Sequence, residues 1–351
     1  MPLVLDTPRS ATAAALRTRN CLTVGLVNNM PDAACEATER QFIDLMQNAA
    51  PDLTVCLRLF SIADMPRADH VRQRLAGRYR DVAELWDAPL DGLIVTGNEP
   101  LAANLKDEPY WRTLTSLVGW ARRHTSSTIW SCLAAHATVL HADGIERRRL
   151  KDKLVGVFSC DQVADHALFA GVAAPHPIPH SRVNDLPAAA LSACGYRILT
   201  RSELAGVDTF VREERGASLF VFFQGHPEYE VDSLLREYRR DVGRFLRGEW
   251  QHYPDAPQGY FNAAATDLTE AFRARALAER RAELIAQFPT AALEAGVEHS
   301  WRAAALRLYR NWIGYLKSRK SARRRPATAV GDSSRAASST PARQARPSRT
   351  A

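Results

Sequence analysis

The sequence predicts an α/β fold, a doubly wound and mainly parallel sheet flanked by helices. The first observation is a βαβαβ rhythm from about residue 22 to residue 140, in which apolar strand-like runs alternate with segments of helical spacing. The second is that these runs end in turns, at 28–31, 96–100 and 131–133. In such sheets ligands gather at the carboxyl ends of the strands, so the three turns are expected on one rim.

In chain order, residues 22–27 read as a buried strand and 34–49 as a helix carrying Phe42, Leu45 and Met46 at helical spacing. Residues 53–60 alternate and are partly β-branched, the pattern of a second strand. A short helix at 82–86, a compact strand at 91–97 ending in Gly97 and an amphipathic helix at 110–124 follow. The strand 128–131 stops at Cys132, after which Ala134, Ala135 and Ala137 favour a helix to about residue 140. From 151 to 223 the pattern turns β-rich, with strands expected at 154–158, 196–202, 209–212 and 219–223. Helices are expected at 231–247, 264–285 and 301–316, the last with Trp301, Leu306, Tyr309 and Trp312 on a packing stripe. The expected organisation is a flexible segment 1–20, an α/β domain 21–263, a helical extension 264–317 packing on it, and a basic disordered tail 318–351.

At 351 residues the chain can bury a full hydrophobic core. No apolar run reaches the roughly 18 residues of a membrane span, and residues 1–20 lack the apolar stretch of a signal peptide, so the expected compartment is the cytoplasm. The six cysteines show neither CxxC pairing nor metal spacing; they read as free thiols, five of them buried, and no metal site is expected. The net charge of +7 belongs to the tail, where residues 318–351 hold nine Arg and Lys against one Asp. A segment of Ser, Ala, Pro and Arg buries no core, so it is expected to be solvated, with no specific nucleic-acid or membrane partner.

Two stretches concentrate the chemistry: Thr128-Ile-Trp-Ser-Cys-Leu-Ala-Ala-His136 and Gln224-Gly-His-Pro-Glu-Tyr229. A strand that turns sharply into a helix lifts the side chain at the turn into the open and points the first helical N–H groups at it. A thiol there has its thiolate stabilised, which makes Cys132 a nucleophile. Alternation along an extended segment would put His226 and Glu228 on one side, as base and orienter. In Pro179-His-Ser-Arg182, a hydroxyl beside a guanidinium suits recognition of a carboxylate. Lys153 and Arg240 read, taken alone, as surface charges.

In order along the chain, these pieces resemble the homoserine O-succinyltransferase family, a branch of the class I glutamine amidotransferase-like fold. The matching residues are Asn29-Met-Pro31, Asp91-Gly-Leu-Ile-Val-Thr-Gly97, Tyr110-Trp111, Ser131-Cys-Leu-Ala-Ala135, Asp152-Lys-Leu-Val-Gly156, Pro179-His-Ser-Arg182, Gly225-His-Pro-Glu-Tyr229 and Arg240-Asp-Val242. Tyr260-Phe261, Ser300-Trp-Arg302 and Asn311-Trp312 extend the likeness, which covers about residues 20–317.

The resemblance implies a ping-pong acyl transfer in methionine biosynthesis, with succinyl-CoA favoured and acetyl-CoA the other donor, and no bound cofactor. Cys132 would take the acyl group, His226 would activate the hydroxyl of L-homoserine, and Glu228 would support His226. Lys153, Ser181 and Arg240 match positions that contact the amino-acid substrate. The backbone N–H groups of Leu133 and Asn98 are the candidates for an oxyanion hole. The chain departs from the family at Met30-Pro-Asp-Ala-Ala-Cys-Glu36, which lacks the lysine assigned to oxyanion stabilisation. It departs again at Thr96-Gly-Asn-Glu-Pro-Leu-Ala102. In the family, Glu or Gly a few residues beyond Thr-Gly accompanies acetyl or succinyl donors; an ungapped match puts Leu101 there, with Glu99 shifted. Small molecules are the expected partners, with a homodimer possible. The alternatives are transfer to a related amino acid such as serine, a glutaminase or γ-glutamyl hydrolase, or a binding protein that kept the fold. The flanks of Cys132, Trp130 and Ala134, lack the glycines of the glutaminase turn.

Overall fold

The computed structural model describes residues 3–8 and 21–324. Strand β1 (Val4–Leu5) is followed by β2 (Leu22–Val27), α1 (Asp32–Ala49), β3 (Val55–Ser61), α2 (Asp69–Ala76), β4 (Arg80–Asp81), β5 (Gly92–Val95), α3 (Trp111–His124), β6 (Ser127–Ser131) and α4 (Leu133–Asp143). A long hairpin of β7 (Arg148–Gln162) and β8 (His176–Asp185) comes next. After it lie α5 (Ala188–Ala193), β9 (Arg197–Ile198), β10 (Thr200–Ser202), β11 (Gly206–Val207), β12 (Thr209–Arg212) and β13 (Leu219–Phe223). Helices α6 (Ser233–Leu246), α7 (Ala263–Ala278), α8 (Thr290–Glu294) and α9 (Arg302–Arg324) complete the described chain.

Among the described residues the main sheet runs β1-β3-β2-β5-β6-β13-β12-β9, with β4 beside β3. Its pairs are parallel through β13 and antiparallel at β12 and β9. Side chains alternate across it. Val24, Leu26, Ile94, Ile129 and Val221 join Phe42 of α1 and Tyr309, Trp312 and Leu316 of α9 on one face. Val27, Leu93, Val95, Trp130 and Phe222 join Leu117 of α3 and Ala135 of α4 on the other. Strands covered on both faces need apolar residues at every position, which is why these runs read as compact rather than alternating. Burying each large side chain contributes roughly 1.5–3 kcal/mol, so both helical layers are needed to hold the sheet.

The second sheet, β11-β10-β7-β8, is antiparallel. Strand β8 does not read as a strand in the sequence because Pro177 and Pro179 interrupt it. Proline is tolerated there because β8 is an edge that pairs only with β7.

Several boundaries depart from expectation. Helix α9 packs on the main core as one of its layers: a Cβ on Gly92 would lie 2.6 Å from Leu316 Cδ1. It also runs past residue 316 to Arg324, so the start of the segment expected to be disordered is helical. Lys320 Nζ there bonds Asp91 at 2.6 Å and Cys21 O at 2.7 Å. Residues 325–351, the rest of that tail, lie outside the described residues. Within the segment expected to be flexible, Val4–Leu5 pairs with β3, and Asp6 accepts from Arg58 at 2.7 Å and Arg80 at 3.0 Å. The single helix expected at 264–285 is two pieces, α7 and a 3₁₀ turn at Ala282–Gln287, divided where Arg280 Nε turns back to Phe245 O at 2.9 Å. All six thiols are free, but Cys194 as well as Cys132 is half-buried, so four cysteines are buried rather than five. No helix of the described residues is long and apolar enough to cross a membrane.

Candidate active site

The carboxyl ends of β2, β5, β6 and β13 converge on a cleft of about 210 Å³, and the three turns expected to share a rim all contribute to it: Met30, then Thr96 to Pro100, then Ser131 to Leu133. Strand β6 carries the chain to Ser131, in register with Phe223 of β13. The N–H of Cys132 still donates to Phe223 O at 2.7 Å, as if the strand continued. The chain then reverses, with Cys132 at φ 51° and ψ −114°. Among the described residues Cys132 is the only non-glycine at positive φ. Holding a side-chain-bearing residue there costs about 1–3 kcal/mol and places the thiol at the start of α4, where unpaired N–H groups and the helix dipole favour an anion.

Gly97 lies against this turn. A Cβ on it would come 2.8 Å from the backbone nitrogen of Leu133 and 3.2 Å from Ser131 O, so only glycine lets the two turns meet. The Leu133 backbone nitrogen therefore packs directly against the Gly97 turn.

His226 and Glu228 do share a side, but not by strand alternation: the chain leaves β13 at Phe223 and turns at Pro227 and Glu228. A Cβ on Gly225 would sit 2.5 Å from Ile178 Cγ2, so the turn is pressed against β8, and the His226 N–H donates to Pro179 O at 2.8 Å. His226 Nδ1 pairs with Glu228 Oε1 at 2.8 Å, and Ser131 Oγ donates to that oxygen at 3.3 Å. The other ring nitrogen is left for Cys132, which is within hydrogen-bond reach of the imidazole. Tyr229 stacks on the ring, centroids 4.3 Å apart, and Trp301 Nε1 anchors Tyr229 O at 2.9 Å. Burial opposes a charge on His226, but the carboxylate of Glu228 and then Cys132 hold its imidazolium well above the usual histidine range. His136, also on the cleft, behaves in the opposite way: burial pushes it down to about 3, so it is neutral and bonds Gln224 at 2.9 Å. Of these two histidines, only His226 has its charged form favoured.

Lys153, Ser181 and Arg240 also line the cleft, brought in by β7, β8 and α6. The β7–β8 register sets Ser181 opposite Val155, two residues from Lys153. Lys153 Nζ bonds Asp241 at 2.7 Å, Arg240 Nε bonds Asp241 at 2.9 Å, and Ser181 Oγ donates to Glu237. Glu237 and Asp241, one turn apart on α6, thus organise the cationic residues; neither stands out in the sequence, because alone each reads as a helix charge. Arg182 departs from its expected role. It is buried, bonding Asn184 O at 2.7 Å, Asp185 at 3.0 Å and Ala205 O, so it braces the β8 end rather than offering a guanidinium to a ligand. Glu99 lines the cleft and pairs with Arg244 at 3.2 Å, whereas Leu101 is 71% exposed and does not. No lysine enters from the segment after Met30. Instead Asp32 accepts from Arg67 at 3.1 Å, and Arg67 also bonds Met30 O at 3.1 Å, fixing the start of that segment. Among the described residues no cluster of His, Cys, Asp and Glu is arranged to hold a metal ion.

A doubly wound sheet with a thiol, an imidazole and a carboxylate at its carboxyl rim, beside a charged subsite, defines the class of an α/β protein with a candidate active site at its strand ends. Comparison with known proteins narrows the class. The profile of the family described as HTS, homoserine O-succinyltransferase, matches residues 7–323, and the chain belongs to that family of acyltransferases. It is similar to the homoserine O-succinyltransferase of Rhodopseudomonas palustris, 51% identical over 84% of this chain and 88% of the relative. The protein of the same name from Bradyrhizobium japonicum is 49% identical over 84% and 90%. Among solved structures, a glutamine amidotransferase from Thermotoga maritima aligns with a TM-score of 0.49 at 11% identity, over 84% of this chain and 98% of that one.

Proposed function

We propose that the chain moves a succinyl group from succinyl-CoA to the hydroxyl of L-homoserine through a thioester on Cys132, as a step of methionine biosynthesis. The observation that carries this reading is the strained Cys132 turn facing the His226–Glu228 pair, in a chain belonging to a family whose relatives bear that activity's name. His226 takes the thiol proton, and the Cys132 thiolate attacks the thioester carbonyl carbon. The oxyanion that forms lies toward the N–H groups of Leu133 and Asn98. When the carbon–sulfur bond to CoA breaks, its sulfur receives the proton from His226, leaving the imidazole neutral and the acyl group on Cys132.

The acceptor hydroxyl then gives its proton to His226 and its oxygen attacks the acyl carbon, which releases Cys132 as thiolate beside an imidazolium. Glu228 holds the ring throughout by accepting from Nδ1–H. Arg240, Lys153 and Ser181 would bind the carboxylate end of the amino acid, with Glu237 and Asp241 close enough to offset its ammonium. Acetyl-CoA is the second reading, favoured by Glu99 on the cleft wall, since an acidic residue beyond Thr-Gly accompanies acetyl donors in the family.

Initial-rate kinetics with both donors and with homoserine, serine or water as acceptor test the proposal. Parallel double-reciprocal lines with homoserine, and negligible transfer to serine, are expected. Intersecting lines, or glutamine hydrolysis with no transfer, would remove it.

A further inference from the structure

Five cationic side chains besides histidine line the cleft: Arg147, Lys153, Arg182, Arg240 and Arg244. Four are neutralised within the protein. Lys153 and Arg240 share Asp241 at 2.7 and 2.9 Å, Arg182 pairs with Asp185 at 3.0 Å, and Arg244 pairs with Glu99 at 3.2 Å. Arg147 forms no ion pair among the described residues, and its Nη1 is buried without a hydrogen-bond partner. Burial and the neighbouring Arg149 weigh against its charge, while Tyr110, Glu108 and Cys132 favour it from a distance without bonding it. A guanidinium does not give up its proton, so a half-buried one with an unmade bond is matched only when an anion arrives. Its place in the chain suits anion capture, because it follows α4, the helix that begins at Cys132, and faces the same cleft as the thiol.

We propose that Arg147 is the donor-specificity residue, receiving the free carboxylate of the succinyl group while Cys132 attacks the thioester at its other end. A planar fork of donors fits a carboxylate with two parallel bonds, and among the described residues Arg147 is the cation of the cleft that has no acidic partner of its own. Arg147 does not share the Asp241 anchor of Lys153 and Arg240, so donor and acceptor carboxylates are read by different guanidinium groups of one cleft. This inference rests on the acyl-transfer reading above.

The test compares succinyl-CoA with butyryl-CoA, which carries a methyl group where succinyl carries its carboxylate. Acylation of Cys132 by each donor is followed in the unaltered chain, in Arg147→Met and in Arg147→Lys. The ratio of kcat/KM for succinyl over butyryl is expected to fall on the order of 10- to 100-fold in Arg147→Met, and less in Arg147→Lys. Because both donors are read on one preparation, a loss of folded protein cancels from the ratio. A ratio that stays constant overturns the inference; equal losses with both donors would assign the guanidinium to the CoA phosphates or to packing. If the unaltered chain is acylated by neither donor, the acyl-transfer reading itself fails, a result distinct from an unchanged ratio.

Discussion

On the thiol side of the cleft, position comes from the backbone: β6 ends, Cys132 takes up its strained positive-φ conformation, and Gly97 closes against the turn. On the opposite side, position comes from charge, with Lys153, Ser181 and Arg240 arriving on three separate elements and held by Glu237 and Asp241. The first arrangement is local and rigid, because strand register and helix start leave the thiol one location. The second is assembled from segments 88 residues apart and depends on side-chain pairs. Substitutions on the thiol side should therefore strike the chemical step, while those on the charged side should strike binding of the acceptor.

The largest effect is expected at Cys132. Cys132→Ser should lower kcat by on the order of 10³-fold or more while leaving the circular dichroism spectrum unchanged, because the hydroxyl is a far poorer nucleophile in the same turn. Next comes Glu228→Gln, expected to cost about 10²-fold in kcat with little change in the acceptor KM. The same variant has a pH signature. His226 has its folded-state value raised, so its contribution to stability is complete below roughly pH 6.5 and is lost as the pH rises through the raised value. Without the Glu228 charge that value drops, so the alkaline fall in Tm should be smaller and should be complete at lower pH. A Tm profile that matches the unaltered chain would break the link between the pair and the charge.

Asp241→Asn should raise the KM for homoserine by about 10-fold and leave the rate of donor acylation nearly unchanged, since Lys153 and Arg240 lose their shared anchor. A fall confined to acylation would contradict the division of the cleft. Smallest is Lys320→Met on α9, remote from the chemistry. It should lower stability by about 1 kcal/mol through loss of the Asp91 contact, seen as a modest drop in the denaturant midpoint with kcat unaltered.

The same division explains what can be read from the sequence. The strand ends, the small residues after Cys132 and the His226–Glu228 spacing are local signals, so the central strands and the rim are legible from the residues alone. Strand β8 stays hidden because two prolines suppress its pattern, and their tolerance depends on its being an edge. Glu237, Asp241 and Arg147 look like ordinary surface charges; only the packing of α6 against β7, and the absence of a partner for one guanidinium, gives them a role. Arg182 misleads for the complementary reason: its carbonyl and carboxylate partners lie in turns whose positions no local pattern announces.

The central claim is that Cys132 carries the acyl group, and the mass of the intact protein after rapid mixing with succinyl-CoA tests it most directly. The account predicts a single succinyl adduct that is absent in Cys132→Ala and disappears when homoserine is added. An adduct that persists in Cys132→Ala, or product formed by a chain whose Cys132 never gains mass on the timescale of turnover, would contradict it.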